Sequence, residues 1–150
     1  MDIRQGKTSD AEAIRGLISY YAEQDKMLFL SMADIYENLQ RFIVAEVNGT
    51  VVGCCALVVF WSDLGEVKSL AVDKGSAGKG VGRALVKGII DRAAEMGLSR
   101  VFTLTLEAGF FEKLGFEPIN KDLLPMKVWS ECAKCPKQAN CDEIPMTYDI

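Results

Sequence analysis

Apolar residues recur along the chain in two rhythms. Ile14, Leu17, Ile18 and Tyr21 fall three or four positions apart, the spacing of one helix face. Just ahead, Ser9-Asp-Ala-Glu12 has the form of a capping box, in which both side chains bond to the free N–H groups of a helix start. Ile35, Tyr36 and Leu39 suggest a second, shorter helix. Residues 2–4 could form a first strand. Residues 42–47 and 51–60 are apolar and β-branched, and Asn48-Gly49 between them suits a tight turn with two positive φ angles. Residues 66–72 read as a further strand. Val81, Ala84, Leu85, Ile89, Ala93 and Met96 then mark a long amphipathic helix that Gly97 stops. Residues 100–105 form a strand, 108–114 a short helix ended by Gly115, and 116–119 with 144–148 a closing pair of strands. The order predicts one α+β domain over residues 1–150, with a parallel crossover at its centre.

Composition narrows the chemistry. The 150 residues are 49% hydrophobic and 25% charged, as in a globular domain. The formal charge is −4, so a broad surface for nucleic acid is not expected. The first ten residues hold no apolar signal core, and no apolar run reaches the length of a membrane span, so neither export nor a membrane partner is expected. A cytoplasmic protein with reduced thiols follows as the expectation. The chain has no histidine, which excludes Ser-His and Cys-His nucleophiles and histidine metal sites within it.

The sharpest feature is the junction between residues 66 and 96. Gly75, Gly78, Gly80 and Gly82 crowd the place where a helix begins. Glycine lets backbone N–H groups approach a ligand with no Cβ in the way. The first helical turn adds unpaired donors and a partial positive charge, which together suit a phosphate. A Walker A loop does not fit, because Gly80 follows Lys79 and Asp73 stands where the first glycine should be. A dinucleotide fingerprint fits Gly78 and Gly80 but fails at Arg83.

The segment EVKSLAVDKGSAGKGVGRALVKGII resembles the central motif of the GNAT superfamily of N-acetyltransferases, and AGFFEKLGFEPI resembles its second signature. Within that superfamily, VFTLTLEAGFFEKLGFEPINKDLLPMKVW is similar to the acetyltransferase domain of N-acetylglutamate synthases. The tail CAKCPKQANCDEIPM looks like that of their short, single-domain form. The resemblance implies a GNAT-like mixed sheet of six to seven strands, splayed at its centre and flanked by about four helices. It implies acetyl-CoA as acetyl donor, its pantetheine lying between strands 66–72 and 100–105. The backbone of Leu70, Ala71 and Val72 would pair with the pantetheine as an added strand would. The amides of Gly78, Lys79, Gly80, Val81, Gly82 and Arg83 would hold the pyrophosphate. The family's usual Arg or Gln two residues before the loop lysine is Ala77 here, so that side-chain contact is lost.

Moving an acetyl group to an amine needs a neutral amine and an N–H donor for the thioester oxyanion. Glu66 matches the position of a catalytic glutamate in many superfamily members and is the expected base, working through water. The second signature often carries a tyrosine acid where this chain has Phe111, as the synthases also tend to lack it; water could protonate the thiolate instead. An L-glutamate acceptor brings two carboxylates, for which Lys68, Arg41 and Lys127 are the candidate cations. The short synthases usually have an arginine where Leu30 stands, which favours another small amine or a protein N-terminus as the rival acceptor. A non-catalytic CoA-binding sensor is a second rival, favoured by Ala77 and Phe111. The expected reaction is direct transfer in a ternary complex, the entry step of arginine synthesis.

The last feature is Cys132-x-x-Cys135-x5-Cys141, followed by Asp142 and Glu143. Three thiolates could hold zinc, could stay a reduced cluster, or could form a redox switch. No metal is expected in the chemistry itself. Cys54 and Cys55, inside an apolar run, are expected to be packing residues. A homodimer is compatible with the sequence, which does not fix the oligomeric state.

Overall fold

The computed structural model describes residues 1–124 and 143–150. The elements are β1 (Asp2–Gln5), α1 (Ala11–Ala22), α2 (Met32–Glu37), β2 (Phe42–Val47), β3 (Thr50–Trp61), β4 (Leu64–Val72), α3 (Val81–Glu95), β5 (Arg100–Thr105), α4 (Ala108–Lys113), β6 (Glu117–Pro118) and β7 (Ile144–Asp149). The strands form one seven-stranded sheet in the order β1-β2-β3-β4-β5-β7-β6. Neighbours run antiparallel except β4 and β5, which are parallel and joined through α3. Parallel neighbours cannot be joined by a hairpin, so a long crossover is a geometric necessity, and α3 supplies it.

Asn48 and Gly49 take φ of 51° and 78°, so the β2–β3 hairpin turns as its sequence predicts. The entry to α1 differs from expectation. A single 3-10 turn, Thr8–Asp10, precedes the helix, and the Asp10 carboxylate accepts from the Lys7 N–H at 2.7 Å. Asp10 also pairs with the Arg4 guanidinium at 2.8 and 3.0 Å, and the same guanidinium reaches Glu46 on β2. A long-range ion network, and not the Ser9–Glu12 box, therefore fixes the helix start. Leu39 likewise falls in a separate 3-10 turn, Leu39–Arg41, after α2 has ended.

The sheet is covered on both faces. Ile14 and Ile18 of α1 and Ile35 of α2 pack on Phe42, Val44, Cys54, Ala56 and Ala71. Val81, Leu85, Val86 and Ile89 of α3 and Phe111 of α4 pack on the opposite face with Ile43, Cys55, Leu57, Val67 and Val101. Ile14, Ile18, Leu85 and Ile89 are fully buried, and each such side chain is worth roughly 1.5–3 kcal/mol of transfer free energy. From Gly53 to Leu57 the odd positions of β3 face α3, and Cys54 and Ala56 face α1, so this packing fixes the register there. Cys54 and Cys55 are buried on opposite faces, and burial pushes the Cys54 thiol up to about 12.

Candidate active site: the parting of two parallel strands

β4 and β5 are paired over three positions, Leu64–Arg100, Gly65–Val101 and Glu66–Phe102. β4 continues six residues further, to Val72, and β5 three further, to Thr105, with no more ladder pairs between them. The sheet is thus parted at its centre. At the parting point the Thr103 hydroxyl donates to the Val67 carbonyl at 2.9 Å.

β4 is also kinked on its other side. Its pairing with β3 passes from Ala56–Lys68 to Cys54–Ala71, so Cys55 lies opposite two residues, Ser69 and Leu70. Ser69 absorbs the extra residue with φ of 57°, a left-handed conformation unusual for a residue with a Cβ. The Asp73 N–H donates to the Val52 carbonyl at 2.8 Å. That bond identifies Gly53–Val72 as a pair that exchanges no bonds of its own, so the Val72 N–H and C=O point away from β3. Alternation turns Leu70 the same way and Ala71 the other way. Of the three backbone groups expected to meet the donor, Leu70 and Val72 therefore face the parted side, while Ala71 turns towards its ladder partner Cys54 on β3. The Tyr21 hydroxyl, from the end of α1, donates to the Val72 carbonyl. Burial holds this phenol above its ordinary range.

The glycine loop sits at the far end of β4. Gly78 and Gly80 take φ of 76° and 80°, and a Cβ built on either would meet nothing within 4 Å. Gly80 is the N-cap of α3, and the first helical bond runs from the Ala84 N–H to its carbonyl at 3.0 Å. The N–H groups of Val81, Gly82 and Arg83 precede that bond and point out of the helix start. The missing Cβ of Gly82 also serves packing. A Cβ added there would lie 3.2 Å from the Phe110 ring, so its absence lets α4 approach α3.

Glu66 is 6% exposed, at the last paired position, between Val58 of β3 and Phe102 of β5. Val67 faces α3, so Glu66 and Lys68 share the opposite face, that of α1 and α2. Lys68 is half-buried beside Ala56. Arg41 is exposed and precedes Phe42, which shares a cross-strand row with Ala56 and Lys68. Two strand spacings, about 10 Å, separate the backbone positions of Phe42 and Lys68. Leu30 packs against the core cluster under α1 and α2. Phe111 is buried, its ring 5.0 Å from those of Phe110 and Phe116, and works as a core residue. Lys127, Cys132, Cys135 and Cys141 lie outside the described residues. Among the described residues no group of three or more side chains is arranged to hold a metal ion, and no helix is long and apolar enough to cross a membrane.

A hollow of about 500 Å³ around Asp63, Leu64, Arg100 and Leu123 lies at the end where β4 and β5 are still paired. The diverging halves of the strands are at the other end, where the glycine loop sits. Tyr21, Thr103 and the bulge at Ser69 had no signal in the sequence that set them apart from ordinary helix and strand residues.

Residues 9–116 match the model of the acetyltransferase (GNAT) family. The chain is 40% identical over 148 residues to an uncharacterized N-acetyltransferase of Chlorobaculum tepidum, covering 99% of this chain and 96% of that one. It is 40% identical over 135 residues to an amino-acid acetyltransferase of Mycobacterium tuberculosis, covering 88% and 77% of the two chains. The structure of Rv2747 from Mycobacterium tuberculosis in complex with CoA and NLQ superimposes with a TM-score of 0.88 at 34% identity, over 100% of this chain and 99% of that one. N-acetylglutamate synthase from Neisseria gonorrhoeae, complexed with coenzyme A and N-acetyl-glutamate, superimposes with a TM-score of 0.91 at 29% identity; this chain spans 34% of its length. The chain belongs to the GNAT family of acetyltransferases. It is an enzyme that draws its acetyl group from acetyl-CoA, and the parted sheet expected from the resemblance is the sheet observed.

Proposed function

We propose that this protein transfers the acetyl group of acetyl-CoA to the α-amine of an amino acid, and that the acceptor is L-glutamate. The observation that carries the reading is the ladder between β4 and β5 ending at a buried carboxylate, Glu66, with the glycine loop at the other end of the same strand. The glycine loop follows this strand, so the arm runs back from the diphosphate at the loop, past Val72, to a thioester carbonyl at Leu70. The N–H groups of residues 78–83 receive the diphosphate, and Leu70 and Val72 pair with the arm.

Glu66 takes a proton from the acceptor ammonium through water, leaving a neutral amine. The amine lone pair attacks the thioester carbon, and the carbonyl π pair moves to oxygen. The Leu70 N–H, turned to the slot by the bulge, receives that oxyanion. Collapse breaks the C–S bond, expels CoA thiolate and leaves an N-acetyl amino acid, whose nitrogen loses its second proton to solvent. Phe111 cannot protonate the thiolate, and a thiolate of ordinary basicity leaves without such help. Lys68, Arg41 and Lys127 are the cations proposed for the two acceptor carboxylates. The names of the relatives, amino-acid acetyltransferase and N-acetylglutamate synthase, support this acceptor and with it a cytoplasmic place at the entry of arginine synthesis.

Leu30 favours a second reading, in which the acceptor is a different small amine or a protein N-terminus. It is half-buried and packs against the core cluster just before α2, where the short synthases usually carry an arginine. Purified protein should be assayed for CoA release across a panel of amino acids, amines and N-terminal peptides. Turnover with glutamate at least tenfold above alanine and lysine is expected; equal turnover would remove glutamate as the acceptor.

A further inference from the structure

The end of the β4–β5 ladder has a local chemical cause. Pro145 lies opposite Leu104 across the antiparallel β5–β7 pair. Proline has no N–H to exchange, which suits a pair that makes no bonds of its own, so the Leu104 amide points away from β7 and towards β4. Continuing the parallel register from Glu66–Phe102 by one step would join the Leu104 N–H to the Val67 carbonyl. That carbonyl instead accepts from the Thr103 hydroxyl at 2.9 Å. Thr103 is itself 3% exposed, so the bond is not in competition with bulk water.

We propose that Thr103 is a positioning residue: its hydroxyl takes the place of the next ladder bond and so sets the point at which the two strands part. A buried carbonyl must find a donor. With the hydroxyl present the donor is a side chain of the neighbouring strand, and no further backbone pair is needed. Without it the available donor is the Leu104 N–H, and accepting that bond lengthens the ladder by a step. The opening would then begin beyond Val67, further from Glu66 and closer to the bulge at Ser69. This inference rests on the reading of the parted strands as the seat of the donor arm.

The test compares Thr103→Val, which keeps the β-branched shape and removes the hydroxyl, with Thr103→Ser, which keeps the hydroxyl. Amide hydrogen exchange is followed in the ligand-free proteins, and acetyl-CoA binding is measured by calorimetry. In Thr103→Val the Leu104 amide should become at least tenfold better protected, and acetyl-CoA should bind roughly tenfold more weakly, the scale of one hydrogen bond. Thr103→Ser should match the wild type in both. Unchanged Leu104 exchange in Thr103→Val overturns the inference, whether or not donor binding weakens. Should Thr103→Val fail to fold, the wild-type protein decides: the Thr103 hydroxyl proton must exchange slowly enough to be seen by NMR, and rapid exchange overturns the inference. A wild type that binds no CoA would remove the donor reading, while the exchange result would still judge Thr103.

Discussion

Replacing Glu66 by glutamine isolates the proton transfer from everything else the site does. The amide has nearly the shape of the carboxylate, which matters because the side chain is 6% exposed between the strands bearing Val58 and Phe102. The fold should therefore survive. The backbone groups proposed for the donor begin at Leu70, four residues along β4 from Glu66, and extend to the glycine loop. At ~3.3 Å per residue that is about 13 Å of backbone, so the affinity for acetyl-CoA should stay within about twofold. The loss should fall on turnover. Removing a positioned base costs about 10²–10⁴ in rate, which corresponds to roughly 3–5 kcal/mol of barrier at 1.36 kcal/mol per decade. Thiol release followed with a chromogenic disulfide gives the rate, and calorimetry with acetyl-CoA gives the affinity. A variant that turns over within threefold of wild type would refute the assignment of Glu66 as base. A variant that loses acetyl-CoA binding would refute the separation of the two ends of β4.

Three further outcomes follow from particular residues. Gly80→Ala places a Cβ on a backbone with φ of 80°, so stability should fall by about 1–2 kcal/mol; acetyl-CoA affinity should fall tenfold or more, and intact affinity would detach the loop from the diphosphate. Arg4 holds the Asp10 carboxyl below its usual range through two hydrogen bonds. A carboxyl depressed on folding contributes stability above its unfolded value near 3.8 and loses it as the pH falls through the folded value. Asp10→Asn should thus cost about 2 kcal/mol in a denaturant melt at pH 7 and progressively less in acid; a cost independent of pH would contradict the ion pair. Cys54 and Cys55 are buried, with their thiols pushed up by desolvation, so a thiol reagent at pH 8 should leave both unlabelled in the native protein and label both in denaturant. Labelling of either in the native protein would contradict their packing.

The parts of the site legible in the sequence are those with local causes. Gly78 and Gly80 stand where the chain needs positive φ at a helix start, and the amphipathic repeat of α3 follows at once. Asn48-Gly49 marks its hairpin for the same reason. The parts not legible depend on distant partners. Ser69 carries no mark of a left-handed residue, because the bulge it makes is imposed by the register of β3 against β4. Thr103 is an ordinary β-branched strand residue until Val67 is found beside it. Tyr21 belongs by its spacing to an apolar helix face, and its hydroxyl acquires meaning when the Val72 carbonyl is seen to face outward. The start of α1 departs from its local signal because Arg4 and Glu46, 42 residues apart, gather Asp10 into one cluster.

The most direct test of the central claim is a crystal structure of the protein with CoA. The pantetheine should lie between β4 and β5 beyond Glu66 and Phe102, with hydrogen bonds to the backbone of Leu70 and Val72. The diphosphate oxygens should lie within hydrogen-bond distance, roughly 2.7–3.2 Å, of N–H groups among residues 78–83. CoA found elsewhere, with β4 and β5 joined along their full length, would contradict it.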